Sequence, residues 1–286
     1  MKISKEWFSA SGAEFRARDG RHGVAHLTCY SAEYCEWGVG PPLVLVPGLA
    51  GGYELLGPLA RLLAKKYRVI SFQLRGENDC FALRRRFTLE DLVQDLAEFL
   101  AWHRLEQPAL MGVSFGGVLA LEFAASYASR IRSLIIHGAG AHFERGLVQQ
   151  VASMVLSRYP LPNDNPFVNQ FFNLLFGRRQ KQDSLFQFVT RQCWQTDQSV
   201  MAHRLHLVES FNVVDRLDRV QVPALVLAGA RDPLVSTRSL AILSQGLPNV
   251  RLCRLSGCGH LAFATQPDRV AQEVQDFLGA TEKICV

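Results

Sequence analysis

PALMGVSFGGVLA, residues 108–120, reads as a buried strand, a sharp turn and the start of a helix, with one serine at the apex. Ala109, Leu110, Met111 and Val113 form a short apolar run bounded by Pro108 and by glycine, which suits a strand covered on both faces of a parallel sheet. From Gly116 onward, Val118, Leu119, Leu121, Glu122 and Phe123 fit a helix better than a strand. Between the two, Gly112-Val113-Ser114-Phe115-Gly116 matches G-x-S-x-G in the context of the nucleophile elbow, a strand before it and a helix after. Glycine flanks the serine because the turn is strained and side chains there would strike strand or helix. The geometry lifts Ser114 Oγ clear of the sheet at a helix N-terminus, where free N–H groups and the dipole favour negative charge. G-x-S-x-G also arises as a chance turn of small residues, so its meaning depends on the rest of the chain.

The 286 residues suit one large domain, or one domain with an insertion. Hydrophobic residues make up 48% and charged residues 20%, an ordinary globular balance able to fill a sizeable core. The net charge of +5 is mild. Basic clusters such as Arg84-Arg85-Arg86 and Arg178-Arg179-Gln180-Lys181 are short and isolated, as in solvated turns, and a nucleic-acid surface needs a longer basic face with interleaved aromatics. The seven cysteines are odd in number and form no C-x-x-C pair, which argues against a disulfide framework and a zinc site and fits a reducing compartment. Residues 1–12 hold too short an apolar run for a signal peptide, and no window approaches a membrane span. The expectation is a cytoplasmic protein without a membrane span or a nucleic-acid partner; oligomeric state is not readable.

Strands and amphipathic helices alternate along the chain. A leading antiparallel hairpin is expected from strands around Ala13–Arg18 and Val24–Ala32, with Asp19-Gly20 as the turn. Leu43–Val46 is a central strand ending in Pro47-Gly48-Leu49-Ala50-Gly51-Gly52, and Tyr53–Lys66 follows with leucines at helical spacing. Arg68–Leu74 is the next strand, and Thr88 caps a helix through Arg104. After the elbow, Ile131–His137 is another strand. From Gly138 to about Val220 no apolar strand occurs; the segment is helical, broken by Pro160, Pro162 and Pro166, and rich in Phe167, Phe171, Phe172, Phe176, Phe186, Phe188 and Trp194. That is too apolar for a linker, so it is expected to pack as an inserted lid, with most aromatics in packing and a minority lining a pocket. The sheet resumes at Ala224–Ala228, then a helix over Ser236–Gln245, a last strand over Val250–Leu255 and a closing helix over Gln266–Leu278. This alternation implies a mostly parallel sheet with helices on both faces, divided into core 1–137, helical cap 138–220 and core 221–286.

Ser114, Asp232 and His260 all stand in loops that follow apolar strands, and in an open parallel sheet those loops share one edge. A serine hydroxyl is a weak nucleophile until a base takes its proton, and histidine titrates in the range to do so. A carboxylate fixes the imidazole tautomer and stabilises its cation. Taken singly, Asp232 before Pro233 is compatible with a simple turn and His260 with a surface histidine. Together, in the order Ser…Asp…His, they favour the catalytic reading. The amides of Phe115 and Leu49 are chosen as oxyanion donors. Of the other histidines, His137 and His142 stand where they could touch substrate, although packing is the simpler role. No G-x-x-x-x-G-K-[ST] and no G-x-G-x-x-G is present, so nucleotide binding gains little support and no cofactor or metal is expected.

On LVLVPGLAGG (43–52), LMGVSFGGVLALEFA (110–124), PALVLAGARDPLV (223–235) and LSGCGHLAFATQPDRVAQEVQDFL (255–278), the chain resembles the α/β-hydrolase superfamily. The likeness is to the capped, bacterial-type group of esterases, lactonases, carbon–carbon hydrolases and cofactor-free haloperoxidases. It implies about eight strands, a cap inserted after the strand ending near His137, Ser114 as nucleophile, Asp232 as acid, His260 as base, and Leu49 and Phe115 as oxyanion donors. Two departures stand out. Proline occupies position 47, where many relatives carry His-Gly. Gln73–Cys80 keeps Arg75-Gly76 of the relatives' D-x-R-G-x-G-x-S but lacks the second glycine and the serine. A serine nucleophile argues against epoxide hydrolases and haloalkane dehalogenases.

The leading functional expectation is a serine hydrolase of a small-to-medium, largely apolar ester, thioester or lactone, working through an acyl-enzyme on Ser114. Carbon–carbon hydrolysis or perhydrolysis with the same triad, and a slow-turnover ligand receptor on the same fold, are the alternatives.

Overall fold

Leu43–Val46 is apolar at every position because both of its faces are covered, and Ala109–Val113 beside it is likewise buried throughout and free of polar side chains. The computed structural model describes residues 20–77, 83, 85–143, 146–158, 166–177 and 183–282. Its sheet runs in the order β1 (Arg21–His26), β2 (Ser31–Trp37), β4 (Arg68–Phe72), β3 (Pro42–Val46), β5 (Ala109–Val113), β6 (Ser133–His137), β7 (Ala224–Gly229) and β8 (Val250–Leu255). The pairings β1–β2 and β2–β4 are antiparallel and every other pairing is parallel. Every residue of β5, β6 and β7 is buried, whereas β8, at the edge, is largely exposed.

Period-two alternation divides the strand residues between two layers of helices. Val44, Ile70, Phe72, Leu110 and Ile136 pack against α2 (Leu89–Trp102) and α3 (Phe115–Ser126). Leu43, Leu45, Val69, Met111 and Ile135 face α1 (Gly52–Leu63) and, further on, the closing helix over Pro267–Glu282. Local chemistry sets the helix starts. Thr88 and Asp91 form a reciprocal capping box at α2, with bonds of 2.8 and 3.1 Å.

The N-terminal expectation is corrected in one respect. The stretch 24–32 is not one strand: the chain turns at Leu27–Tyr30, so β1 and β2 are themselves the hairpin. That turn carries no glycine, proline or asparagine to mark it. It is held by Leu27 N–H to Tyr30 O at 3.0 Å and by Thr28 N–H to Glu98 Oε2 at 2.8 Å, a contact from α2 some 70 positions away. The other expected strand, Ala13–Arg18, lies outside the described residues.

Between β6 and β7 the described residues contain four α-helices: α4 (Leu147–Arg158), α5 (Pro166–Leu175), α6 (Asp183–Cys193) and α7 (Gln198–Ser210). The two ends of this segment are clasped: Phe143 N–H donates to Phe211 O at 3.2 Å and Val213 N–H to Ala141 O at 2.9 Å. After β7 come α8 (Thr237–Gly246), capped by Ser236, then β8, a short turn of helix α9 (Ala262–Thr265) and α10 (Pro267–Glu282). Among the described residues no helix is long and apolar enough to cross a membrane.

Candidate active site

Ser114 follows β5 directly and stands at φ 54, ψ −116, a conformation side chains seldom adopt. The local sequence makes it possible. A Cβ at Gly112 would collide with the Gly116 carbonyl, and one at Gly116 with the carbonyls of Val46 and Pro47. Ser114 N–H donates to His137 O at 2.8 Å, extending the ladder between β5 and β6 to the apex of the turn. The next residue, Phe115, opens α3, so its amide has no carbonyl four residues back within the helix to bond.

Asp232 and His260 arrive from the loops after β7 and β8. Asp232 Oδ1 accepts from the amides of Leu234 (2.8 Å) and Val235 (3.2 Å), which is the turn its position before Pro233 suggested. Its Oδ2 lies 2.9 Å from His260 Nδ1. The turn and the imidazole contact therefore use different oxygens of one carboxylate. A carboxylate only accepts, so Nδ1 carries the proton, Nε2 is left as acceptor, and the Ser114 hydroxyl donates to it across 2.9 Å. Burial alone pushes the Asp232 carboxyl up, but the charge and hydrogen bond of His260 and the Leu234 amide outweigh it and hold the carboxyl below its ordinary value. Gly138, at φ 67, leaves space for the ring: a Cβ there would lie 3.1 Å from His260 Cε1.

His137 ends β6 beneath this row and is fully buried, with Phe263 edge-on at 5.7 Å. Neither ring nitrogen has a hydrogen-bond partner among the described residues. Burial, aided by His260, pushes it down to about 4, so it is neutral. His142 makes a lone bridge with Asn212 at the clasp.

Ser114 and His260 open on a cavity of about 160 Å³. Gly48, Leu49 and Ala50 form one wall, Leu55 and Leu56 of α1 another, and the segment between β6 and β7 supplies Val155, Phe171, Phe172, Met201 and, from the turn after α6, Trp194. Phe176 packs in the core instead, and Leu174 is exposed. Among the described lining residues none is Asp, Glu, Lys or Arg. Cys193 also lines it, its thiol pushed up to about 12 by burial, so it is a neutral wall.

The segment between β6 and β7 reaches the site at three points. Leu175 O accepts from Leu261 N–H at 3.2 Å, beside His260. Thr196 Oγ1 accepts from Gly51 N–H at 3.0 Å. Arg204 of α7, fully buried, donates to Leu49 O (3.0 Å), to Glu77 Oε1 (2.6 Å) and to Arg75 O (3.1 Å), and its Cζ lies 5.7 Å from the centre of the Phe115 ring. Sequence reasoning missed Arg204, Glu77 and Thr196. The signal for Arg204 was present: it interrupts an apolar stripe of Val200, Met201, Leu207 and Val208 on α7. Glu77 falls in the Gln73–Cys80 departure, of which 78–80 lie outside the described residues.

The family model described as alpha/beta hydrolase fold matches residues 41–267. The chain belongs to that family. It is a hydrolase of the alpha/beta hydrolase fold, and its eight-stranded, mostly parallel sheet is the sheet of that fold. A poly(3-hydroxyalkanoate) depolymerase of Ectopseudomonas oleovorans is 26% identical over 262 residues, covering 90% of this chain and 87% of that one. A pimeloyl-[acyl-carrier protein] methyl ester esterase of Aeromonas hydrophila subsp. hydrophila is 26% identical over 254 residues, covering 85% and 97%. Among solved structures, a hydrolase from Pseudomonas aeruginosa PA01 superposes with a TM-score of 0.79 at 19% identity, covering 91% of this chain and 98% of the other, a likeness of fold.

Proposed function

We propose that this hydrolase cleaves a small-to-medium, largely apolar ester, thioester or lactone through an acyl-enzyme on Ser114. The observation that carries the reading is the continuous row Asp232–His260–Ser114, with both bonds at 2.9 Å, opening on a cavity walled by apolar side chains. Ser114 Oγ attacks the carbonyl carbon while His260 Nε2 takes the hydroxyl proton, and the carbonyl oxygen becomes an oxyanion received by the amides of Leu49 and Phe115. The bond to the leaving oxygen or sulfur then breaks, and His260 returns the proton to it. Water attacks the acyl-enzyme, His260 takes its proton, and collapse of the second tetrahedral adduct releases the acid and restores Ser114. Asp232 keeps the imidazole in the tautomer that each step needs. Apolar walls favour an apolar acyl or alcohol portion.

The helices between β6 and β7 act as the cap, residues 138–220, over a core of 1–137 and 221–286. One relative's name is that of a methyl ester esterase, in keeping with an ester bond as the target. Seven cysteines without a C-x-x-C pair support a cytoplasmic setting.

The test is intact-mass labelling with a fluorophosphonate alongside turnover of p-nitrophenyl esters of graded chain length. A single adduct on Ser114, absent in Ser114→Ala, with turnover that peaks at one chain length, is expected. Folded protein that neither labels nor turns over these esters overturns the proposal and leaves ligand binding without catalysis.

A further inference from the structure

The oxyanion loop 47–52 is poorly suited to hold its own shape. Gly48, Gly51 and Gly52 give it backbone freedom on both sides of Leu49, and Gly51 and Gly52 already stand at positive φ. A peptide that turned over there would aim a carbonyl oxygen, in place of an N–H, at the space where negative charge develops. Two contacts from the cap fix the peptides that follow Leu49 and so limit how the loop can turn: Arg204 takes the Leu49 carbonyl, of the 49–50 peptide, and Thr196 takes the Gly51 amide. Arg204 is in turn fixed by Glu77 at 2.6 Å, and the second carboxylate oxygen of Glu77 accepts from Leu74 N–H at 3.1 Å. The same guanidinium faces the ring of Phe115, whose amide is the other proposed donor. One buried side chain thus touches the residues that carry both donors.

We infer that Arg204, held by Glu77, is a positioning residue of the oxyanion hole: it ties the docked cap to the backbone conformation of Leu49 and Phe115, so the hole is complete only with α7 in place. This rests on the acyl-transfer reading above. The Arg–Glu pair also gives a role to Glu77, which stands at a variable position of the Gln73–Cys80 stretch, since it is the acid that holds the guanidinium. Arg204 does not touch the reacting atoms in this account. It acts through the loop, and a buried guanidinium suits that task because it stays charged and presents a rigid fork able to meet several carbonyl and carboxylate oxygens together.

A tetrahedral-adduct former separates this role from simple structural support. Hexyl trifluoromethyl ketone adds Ser114 Oγ to its carbonyl carbon, passing the hydroxyl proton to His260 and placing an oxyanion in the hole; hexyl methyl ketone fills the same cavity with little tendency to form the adduct. In Arg204→Met combined with Glu77→Gln, which removes both buried charges together, kcat on p-nitrophenyl hexanoate falls about 30- to 100-fold with KM within about twofold. Affinity for the trifluoromethyl ketone falls by the same factor, and affinity for the methyl ketone stays within about twofold. Thr196→Val, which leaves the ion pair whole, gives the same split at about three- to tenfold. If the double variant does not fold by circular dichroism, Arg204→Lys replaces it, with about a tenfold loss and the same split expected. Equal losses for the two ketones, or no loss for either, overturn the inference. Wild-type protein that forms no adduct on Ser114 overturns the acyl-transfer reading itself, and the inference falls with it.

Discussion

Asp232 and Glu77 are both buried carboxylates, each with one basic partner: Asp232 has the His260 imidazole at 2.9 Å, Glu77 the Arg204 guanidinium at 2.6 Å. The first pair belongs to the loops at the ends of β7 and β8, and the second joins the loop after β4 to helix α7. An imidazole gains and loses a proton near neutral pH, whereas a guanidinium in a protein does not. The first pair can therefore move a proton during a reaction cycle, and the second can only hold a position. Two sites of similar burial and similar charge thus serve different ends, and the partner decides which.

Replacements at each pair sharpen this contrast, and the largest effect is expected where the proton moves. His260→Ala should lower kcat by about 10⁶-fold, and Asp232→Asn by about 10⁴-fold, because the amide no longer selects the imidazole tautomer; single-turnover measurement of ester cleavage checks both. Thermal stability that falls in step with activity in these variants would break the distinction. At the second pair the main expected loss is in stability. Glu77→Leu leaves Arg204 buried without its acid and should cost about 3–5 kcal/mol in urea denaturation, whereas replacing both partners together costs much less. A single replacement no worse than the double would mean that the ion pair is not what holds the guanidinium. The smallest effect concerns His137, the neutral neighbour of the first pair. Its value drops from an ordinary 6.5 to about 4 on folding, so the unfolded chain takes up a proton that the folded one refuses. Stability from this group is complete above 6.5 and is lost as pH falls toward 4. Between about pH 7.5 and 5 that amounts to roughly 2 kcal/mol. Denaturation of His137→Leu over the same interval should show a pH dependence smaller by that amount; an unchanged slope would place the acid sensitivity elsewhere.

The two regions also differ in how plainly the sequence announces them. The elbow was legible because the residues around Ser114 obey local demands: apolar side chains for a covered strand from Ala109 to Val113, and glycine at 112, 116 and 117, where no Cβ fits. Asp232 and His260 were legible because each stands in the loop that follows a strand, and the sheet itself brings those loops to one edge. Arg204 and Glu77 are 127 positions apart in sequence, with no shared strand edge to bring them together. Their pairing depends on how α7 settles against the core, and only the break in the apolar stripe of α7 hinted at it. The turn at Leu27–Tyr30 escaped for a related reason, since it is held by Glu98 from another helix and not by a turn-forming residue of its own. Local necessity shows in a sequence; a tertiary partner seldom does.

The cavity wall has a consequence for the end of the cycle. A neutral ester enters a space in which the described lining offers no charged side chain. Hydrolysis turns that guest into a carboxylate, an ion whose transfer from water to such surroundings costs several kcal/mol. Among the described lining residues the hydroxyl of Ser114, the imidazole of His260 and the indole N–H of Trp194 are side-chain groups left to greet it, with the amides of the proposed oxyanion hole. The walls that welcome the reactant are thus hostile to what it becomes, and the act of cleavage supplies its own eviction.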